Sequence, residues 1–176
     1  MIDNFHKVGE MDIMLWLSRV GTLTNKIWGE DYWRQEYYSV HQDTQTIPLV
    51  FDKYFEKPIK TKHYKMFETS LMPLESVLTT HYGNGFTARL ILTKLKSNGV
   101  IPEHRDTGQC FQASHRVHLP LITNDEVLFT VGDDTITMQP GELWEINNTH
   151  RLHSVINKSD RDRVHLIIDW EPYNDI

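Results

Sequence analysis

The sequence predicts a mainly β fold, a double-stranded β-helix (a cupin-like jelly roll) with N-terminal helices packed on one sheet. Three observations carry the prediction. From Phe86 onward the chain divides into short segments that alternate apolar and polar residues, as strands with one buried face do. Turn residues separate them at Ser97-Asn98-Gly99, Gly132-Asp133-Asp134 and Gln139-Pro140-Gly141, where Gly, Asn, Asp and Pro permit tight reversals. Both stretches with helical spacing lie before Tyr82.

In chain order, Met11 to Lys26 places Ile13, Leu15, Trp16, Leu17, Val20 and Leu23 approximately on one face of a helix. Trp28 to Val50 has the composition of a loop leading into one or two short strands. Its Trp33, Tyr37 and Tyr38 suit either core packing or the wall of a substrate pocket. Lys53 to Pro58 looks like a linker. A second helix is expected over Phe67–Thr80, with Pro73 near its first turn and Gly83-Asn84-Gly85 closing it. Strands are then expected at Thr87–Leu95, Val100–Asp106, Gln112–Ile122, Glu126–Val131, Thr135–Met138, Glu142–Ile146, His153–Asn157 and Val164–Asp169. A sheet with one apolar outer face needs a cover, which the N-terminal helices can supply.

At 176 residues the chain is expected to be one domain with a sizeable core. Residues 1–85 would form a supporting part and 86–170 a catalytic core. A formal net charge of -6 argues against a general nucleic-acid partner, which would need a basic face. The single cysteine, Cys110, cannot form an internal disulfide and sets no demand for an oxidising compartment. Met1 to Glu10 carries charged residues and no secretory h-region. Ile13 to Leu17 is far too short to span a bilayer. The cytoplasm and no membrane partner are the expectations that follow.

The chemistry concentrates between Ile101 and Trp170. His104 and Asp106 form a His-x-Asp pair, and His153 stands in a later strand. Two histidines and a carboxylate with open coordination positions are the ligand pattern of non-haem Fe(II) oxygenases. In a strand, residues i and i+2 share a face, so His104 and Asp106 could grip one ion from one side. The same spacing recurs at Arg116/His118 and Arg163/His165. Their opposite faces are apolar, with Val117, Leu119 and Leu121 in one strand and Val164, Leu166 and Ile168 in the other. A polar pocket inside a barrel follows, and an arginine there is suited to a bidentate grip on a carboxylate. His153 is preferred over His150, which follows Asn147-Asn148-Thr149 in an expected turn. His115 and His165 suit packing or support, and His63 and His81 are expected to be isolated and solvated.

These pieces carry a resemblance. Ile101-Pro-Glu-His-Arg-Asp, Arg116-Val-His-Leu-Pro-Leu, Pro140-Gly-Glu-Leu-Trp-Glu-Ile-Asn-Asn, His153-Ser-Val-Ile-Asn and Asp162-Arg-Val-His-Leu-Ile-Ile-Asp-Trp, in that order, resemble the aspartyl/asparaginyl β-hydroxylase family of Fe(II)- and 2-oxoglutarate-dependent oxygenases. The match runs from about Thr87 to Trp170, and the part before Tyr82 carries little of it. The resemblance implies that His104, Asp106 and His153 bind Fe(II). The animal peptidyl hydroxylases of the family lack the carboxylate, which this chain keeps. Arg163 would grip the distal carboxylate of 2-oxoglutarate and Thr93 would offer it a hydroxyl. Arg116 and His118 would stand near the cosubstrate's metal-bound end. The implied activity uses O2 to hydroxylate an amino-acid-type substrate, a free amino acid or a protein side chain, and yields succinate and CO2. Arg89, on the Thr93 face, could anchor a substrate carboxylate or serve as a structural ion-pair partner. A cupin-type metalloenzyme without 2-oxoglutarate and a non-catalytic jelly-roll binding protein are the alternatives. The first would not need Arg163, and the second would not need the triad.

Overall fold

The structure, a computed structural model, describes residues 3–51, 57–107 and 110–173. Its frame is two antiparallel sheets. The strands are β1 (Phe5–Glu10), β2 (Thr44–Val50), β3 (Gly85–Leu95), β4 (Val100–His104), β5 (His115–Ile122), β6 (Val127–Val131), β7 (Asp134–Ile136), β8 (Glu142–Ile146), β9 (His153–Asn157) and β10 (Arg163–Pro172). A six-stranded sheet runs β1-β8-β5-β10-β3-β2 and a four-stranded one β4-β9-β6-β7. The jelly roll expected from the alternating segments is therefore present.

The alternation assigns the faces. Val117, Leu119, Leu121, Val164, Leu166 and Ile168 are all buried on the outer side of the six-stranded sheet. There they meet Trp16 and Val20 of helix α1 (Met14–Val20) and Phe67, Leu71, Leu74 and Leu78 of helix α4 (Tyr64–Tyr82). Trp16 stacks on Phe67, with ring centroids 5.4 Å apart. A smaller cluster, including Leu95, Ile101, Phe129, Ile146 and Val155, fills the space between the sheets. Polar residues of β5 and β10 face that second side. The register holds them opposite one another, Arg116 across from Asp169 and His165 across from Thr93.

Several local expectations differ from what forms. The stretch Met11–Lys26 splits into α1 and α2 (Asn25–Trp28), because Thr24 caps a new helix by accepting from the Ile27 amide at 3.4 Å. Residues 28–43 hold a short helix α3 (Trp33–Tyr37) and a 3-10 turn (Ser39–His41) rather than a bare loop. Strand β1 was not visible in the pattern, since only its pairing with β8 selects the extended form. Helix α4 is longer than expected, so Pro73 lies in its interior. Pro73 and Thr69 are both exposed, so the hydrogen bond that Pro73 cannot make is lost on the solvent side of the helix. Helix α5 (Cys110–Ala113) precedes β5, which begins at His115 rather than Gln112. The linker expected at Lys53–Pro58 falls largely outside the described residues. No helix of the described residues is long and apolar enough to cross a membrane.

Gly85 shows how tightly β3 meets the end of β10. A Cβ there would clash with the Glu171 carbonyl oxygen and lie 2.9 Å from the Trp170 ring. The carbonyl belongs to the paired backbone and has little room to yield. Gly85→Ala should therefore destabilise the protein by about 1–3 kcal/mol, read as a lower urea midpoint with an unchanged slope. An unchanged midpoint would show that the two strands part freely at this end.

Candidate active site

Strand pairing brings the two histidines together. His104 is the last residue of β4, His153 is the first of β9, and the two are register partners. Their ring centroids are 4.2 Å apart. Asp106 does not share a strand face with His104 as the spacing suggested, because β4 ends at His104. Asp106 instead sits in the loop that follows. Its amide donates to the Asn148 carbonyl at 3.1 Å, and its carboxylate accepts from Asn148 Nδ2 at 2.9 Å. The loop thus turns the carboxylate back toward the histidines. His104 Nε2 lies 3.9 Å from Asp106 Oδ1, and His153 Nε2 lies 3.9 Å from Asp106 Oδ2. The candidate ligand atoms of all three residues fall within 4.8 Å of one another, a group that could hold a metal ion.

The surroundings prepare these groups for a cation. His104 Nδ1 donates to the Pro102 carbonyl at 2.8 Å, which leaves the Nε2 lone pair free. Burial draws the His153 pKa down to about 4 against the opposing pull of Asp106, so its ring is neutral at pH 7. Burial alone would raise the Asp106 carboxyl. The charge of Arg116, with His153 and the Asn148 hydrogen bond, outweighs it and holds Asp106 well below the usual carboxylate range. Arg116 makes two parallel bonds from Nε and Nη2 to Asp169, at 2.7 and 2.8 Å, and donates from Nη1 to Asp106.

The inner cavity continues from the triad to Thr93, His118 and Arg163. Arg163 is 1% exposed. Its Nη2 meets His165 Nδ1 at 2.5 Å, and its Nε has no hydrogen-bond partner among the described residues. Among the described residues no carboxylate pairs with it, and burial pulls its pKa down to about 9. A buried guanidinium in that condition calls for an anion. Thr93 is likewise 1% exposed. Among the described residues neither ring nitrogen of His118 has a hydrogen-bond partner. Burial, and then Arg163 and Arg116, depress its pKa well below the ordinary value.

An outer pocket of about 290 Å³ opens above the triad. Trp33, Tyr37, Tyr38, Phe51 and Phe111 line it. Of the two readings open for the aromatic residues, the wall applies to these positions, since Tyr37 is 62% and Tyr38 48% exposed. Arg34 was not singled out from the sequence. It stands between the two chambers and lines both. Its guanidinium meets His41 Nε2 at 2.8 Å, Thr93 Oγ1 at 3.3 Å and Thr46 Oγ1 at 3.5 Å. Burial lowers its pKa to about 10. Nothing in the periodicity marks it, because α3 is too short to show one. Arg89 pairs with Asp169 at 3.6 Å and lies over the Phe51 and Phe111 rings.

The remaining histidines separate cleanly. His150 is exposed in a turn. His63 and His81 are not isolated, for His63 pairs with Glu30 at 3.2 Å and His81 meets His6. His115 pairs with Glu145 at 2.7 Å.

His118 and His165 are both buried and held neutral, with pKa values well below 6.5. The unfolded chain binds their protons below about pH 6.5 and the folded chain does not. Stability is therefore present in full above that pH and falls as pH drops, by about 1.4 kcal/mol per pH unit for each such histidine. Urea unfolding of the metal-free protein should show a lower midpoint at pH 5.5 than at pH 7.5. A flat profile would show that both rings are charged in the fold.

Comparison with known proteins agrees with this fold. Among solved structures, an oxidoreductase of the 2OG-Fe(II) oxygenase family from Burkholderia pseudomallei aligns with a TM-score of 0.60 at 15% identity, covering 74% of this chain and 69% of that one. The nickel complex of the non-haem monooxygenase ThoJ gives 0.60 at 12% identity, covering 97% of this chain and 74% of its own. A prolyl-4-hydroxylase from Pseudomonas putida gives 0.52 at 10%, with coverages of 97% and 94%. At such identities the likeness establishes the fold alone. No curated protein matches the sequence. The family model for aspartyl/asparaginyl β-hydroxylase matches residues 24–172, nearly the whole chain, and the protein belongs to that family.

Proposed function

We propose that the protein is an Fe(II)- and 2-oxoglutarate-dependent dioxygenase that hydroxylates an amino-acid-type substrate, free or within a protein. One observation carries the reading: a buried arginine without a carboxylate, Arg163, lies in the same cavity as the His104–Asp106–His153 group. The triad suits a divalent cation with open positions. Arg163 suits the far carboxylate of a dicarboxylic cosubstrate. The chemistry that iron(II) and 2-oxoglutarate supply when bound is O2-dependent hydroxylation of a C–H bond, with succinate and CO2 as co-products.

The chain's own residues divide the work. His104, His153 and Asp106 would hold the iron, and Arg116 and Asn148 fix the direction of Asp106. Arg163 can donate two parallel hydrogen bonds to the distal carboxylate. Thr93 can add a third, since its oxygen already accepts from Arg34 and its hydroxyl proton is available to donate. His118, neutral and buried, lines the same cavity as the triad. In the outer pocket, the aromatic wall excludes water around the substrate. Arg34 offers it a second buried cation, fitted to a carboxylate. The chain would act as one domain over residues 1–176, with 86–170 carrying the triad and 1–85 completing the substrate side.

Arg163→Ala should raise the concentration of 2-oxoglutarate needed by a factor of roughly 30 or more, the equivalent of losing one side of a desolvated charged pair. Iron affinity should stay close to wild type, and Arg163→Lys should recover only part of the loss, because an ammonium cannot reproduce the fork. Anaerobic titration into the Fe(II) protein, followed by the metal-to-ligand charge-transfer band, reads this directly. Equal affinity in wild type and Arg163→Ala would remove the cosubstrate assignment.

The metal assignment is tested separately. His104→Ala and His153→Ala should each abolish Fe(II) binding and turnover with the fold intact, and His150→Ala should do neither. Asp106→Gly should weaken iron binding while retaining part of the activity. Normal iron affinity in His153→Ala, with loss in His150→Ala, would transfer the ligand role.

A further inference from the structure

On the helix-covered side of the six-stranded sheet, away from the triad, two histidines from different elements meet. His6 belongs to β1 and His81 to the last turn of α4. Their Nε2 atoms are 3.3 Å apart and both residues are exposed. That distance allows a hydrogen bond when one of the two rings carries its proton on Nε2. It also matches the edge of a metal tetrahedron, which needs both Nε2 atoms unprotonated. Two imidazole nitrogens bound to zinc at about 2.0–2.1 Å lie about 3.3–3.4 Å from one another. Neutral imidazoles with Nε2 lone pairs free are the commonest metal ligands among side chains.

The setting supports a cation. His6 stands directly across from Glu145 in the β1–β8 register. Burial alone would raise the Glu145 carboxyl, but its hydrogen bond with His115, the His115 charge and the Tyr82 hydroxyl hold it low, so it is ionised. Glu145 accepts from Tyr82 Oη at 2.9 Å and meets His115 Nδ1 at 2.7 Å. Tyr82 stacks on His115, centroids 4.0 Å apart, and the His81 ring stands edge-on to Tyr82 at 4.6 Å. The His81 ring is thus braced by a neighbour that is itself fixed by the carboxylate. Among the described residues the only group of three or more metal-ligating side chains is the triad, so an ion held here would have two protein ligands and would complete its shell with water.

We propose that His6 and His81 form a second divalent metal site, suited to zinc, that links β1 to α4 independently of the active site. A bound ion there would tie the outermost strand of the sheet to the helix that covers its apolar face. Anything that binds the folded state alone stabilises it by mass action, so occupancy should also raise the melting temperature.

The test is calorimetric titration of Zn(II) into wild type, His6→Ala, His81→Ala and His104→Ala proteins. One binding event should be lost, or weakened at least tenfold, in both His6→Ala and His81→Ala, and should persist in His104→Ala. In the His104→Ala background Zn(II) should still raise the melting temperature, and adding His81→Ala should remove that rise. Both residues are exposed, so the single variants should keep the fold, and their far-ultraviolet circular dichroism checks it. Zn(II) uptake and thermal shift that are the same in wild type, His6→Ala and His81→Ala would overturn the site.

Discussion

The geometry of the candidate site depends on one chain of charge, Asp106–Arg116–Asp169. Asp169 lies in the middle of β10, across from Arg116 on β5. Their bidentate contact fixes the guanidinium plane, and the remaining arm reaches Asp106 in the loop beyond β4. A carboxylate on a loop has no strand to aim it. Here its direction is borrowed from two paired strands of the other sheet. Breaking such a buried pair leaves an uncompensated charge, at about 3–5 kcal/mol, and would also release the acidic member of the triad. The contact therefore joins stability and function in the same three side chains.

Set against that neutralised chain, Arg163 and Arg34 are exceptions. Arg116 and Arg89 share the carboxylates of Asp169 and, for Arg116, Asp106. Arg163 and Arg34 reach only uncharged or imidazole partners. Proteins seldom leave buried cations in this condition unless an anion completes them. The two lie at different depths, Arg163 in the inner chamber only and Arg34 between the chambers. The proposed cosubstrate and substrate follow from that separation, each with its own cation.

The six-stranded sheet serves both faces at once. Its outer side builds the core with α1 and α4, and its inner side carries Arg116, His118, Arg163 and Thr93 toward the cavity. The 2.0-residue period of a strand makes this possible, because each apolar residue placed outward presents its neighbour inward. The same logic explains why the N-terminal part is more than a cover. Strand β2 extends the sheet beside β3, and the segment before it brings Trp33, Arg34 and His41 over the opening.

The sequence by itself determined the fold class, the histidines and the inward-facing polar pairs. These follow from local alternation and turn residues, which act over a few residues and leave their mark there. Leu166 beside His165 and Val117 beside Arg116 are enough to orient β10 and β5. Spacing also singled out Asp106, but for a reason that does not operate, since β4 stops at His104 and the contacts to Asn148 and Arg116 aim the carboxylate. Tertiary structure alone decided that Tyr37 and Tyr38 line a pocket while Trp28 enters the core, that Arg34 stands over Thr93, 59 residues away, and that His6 meets His81. Such contacts join residues distant in the chain through packing, and no local period records them.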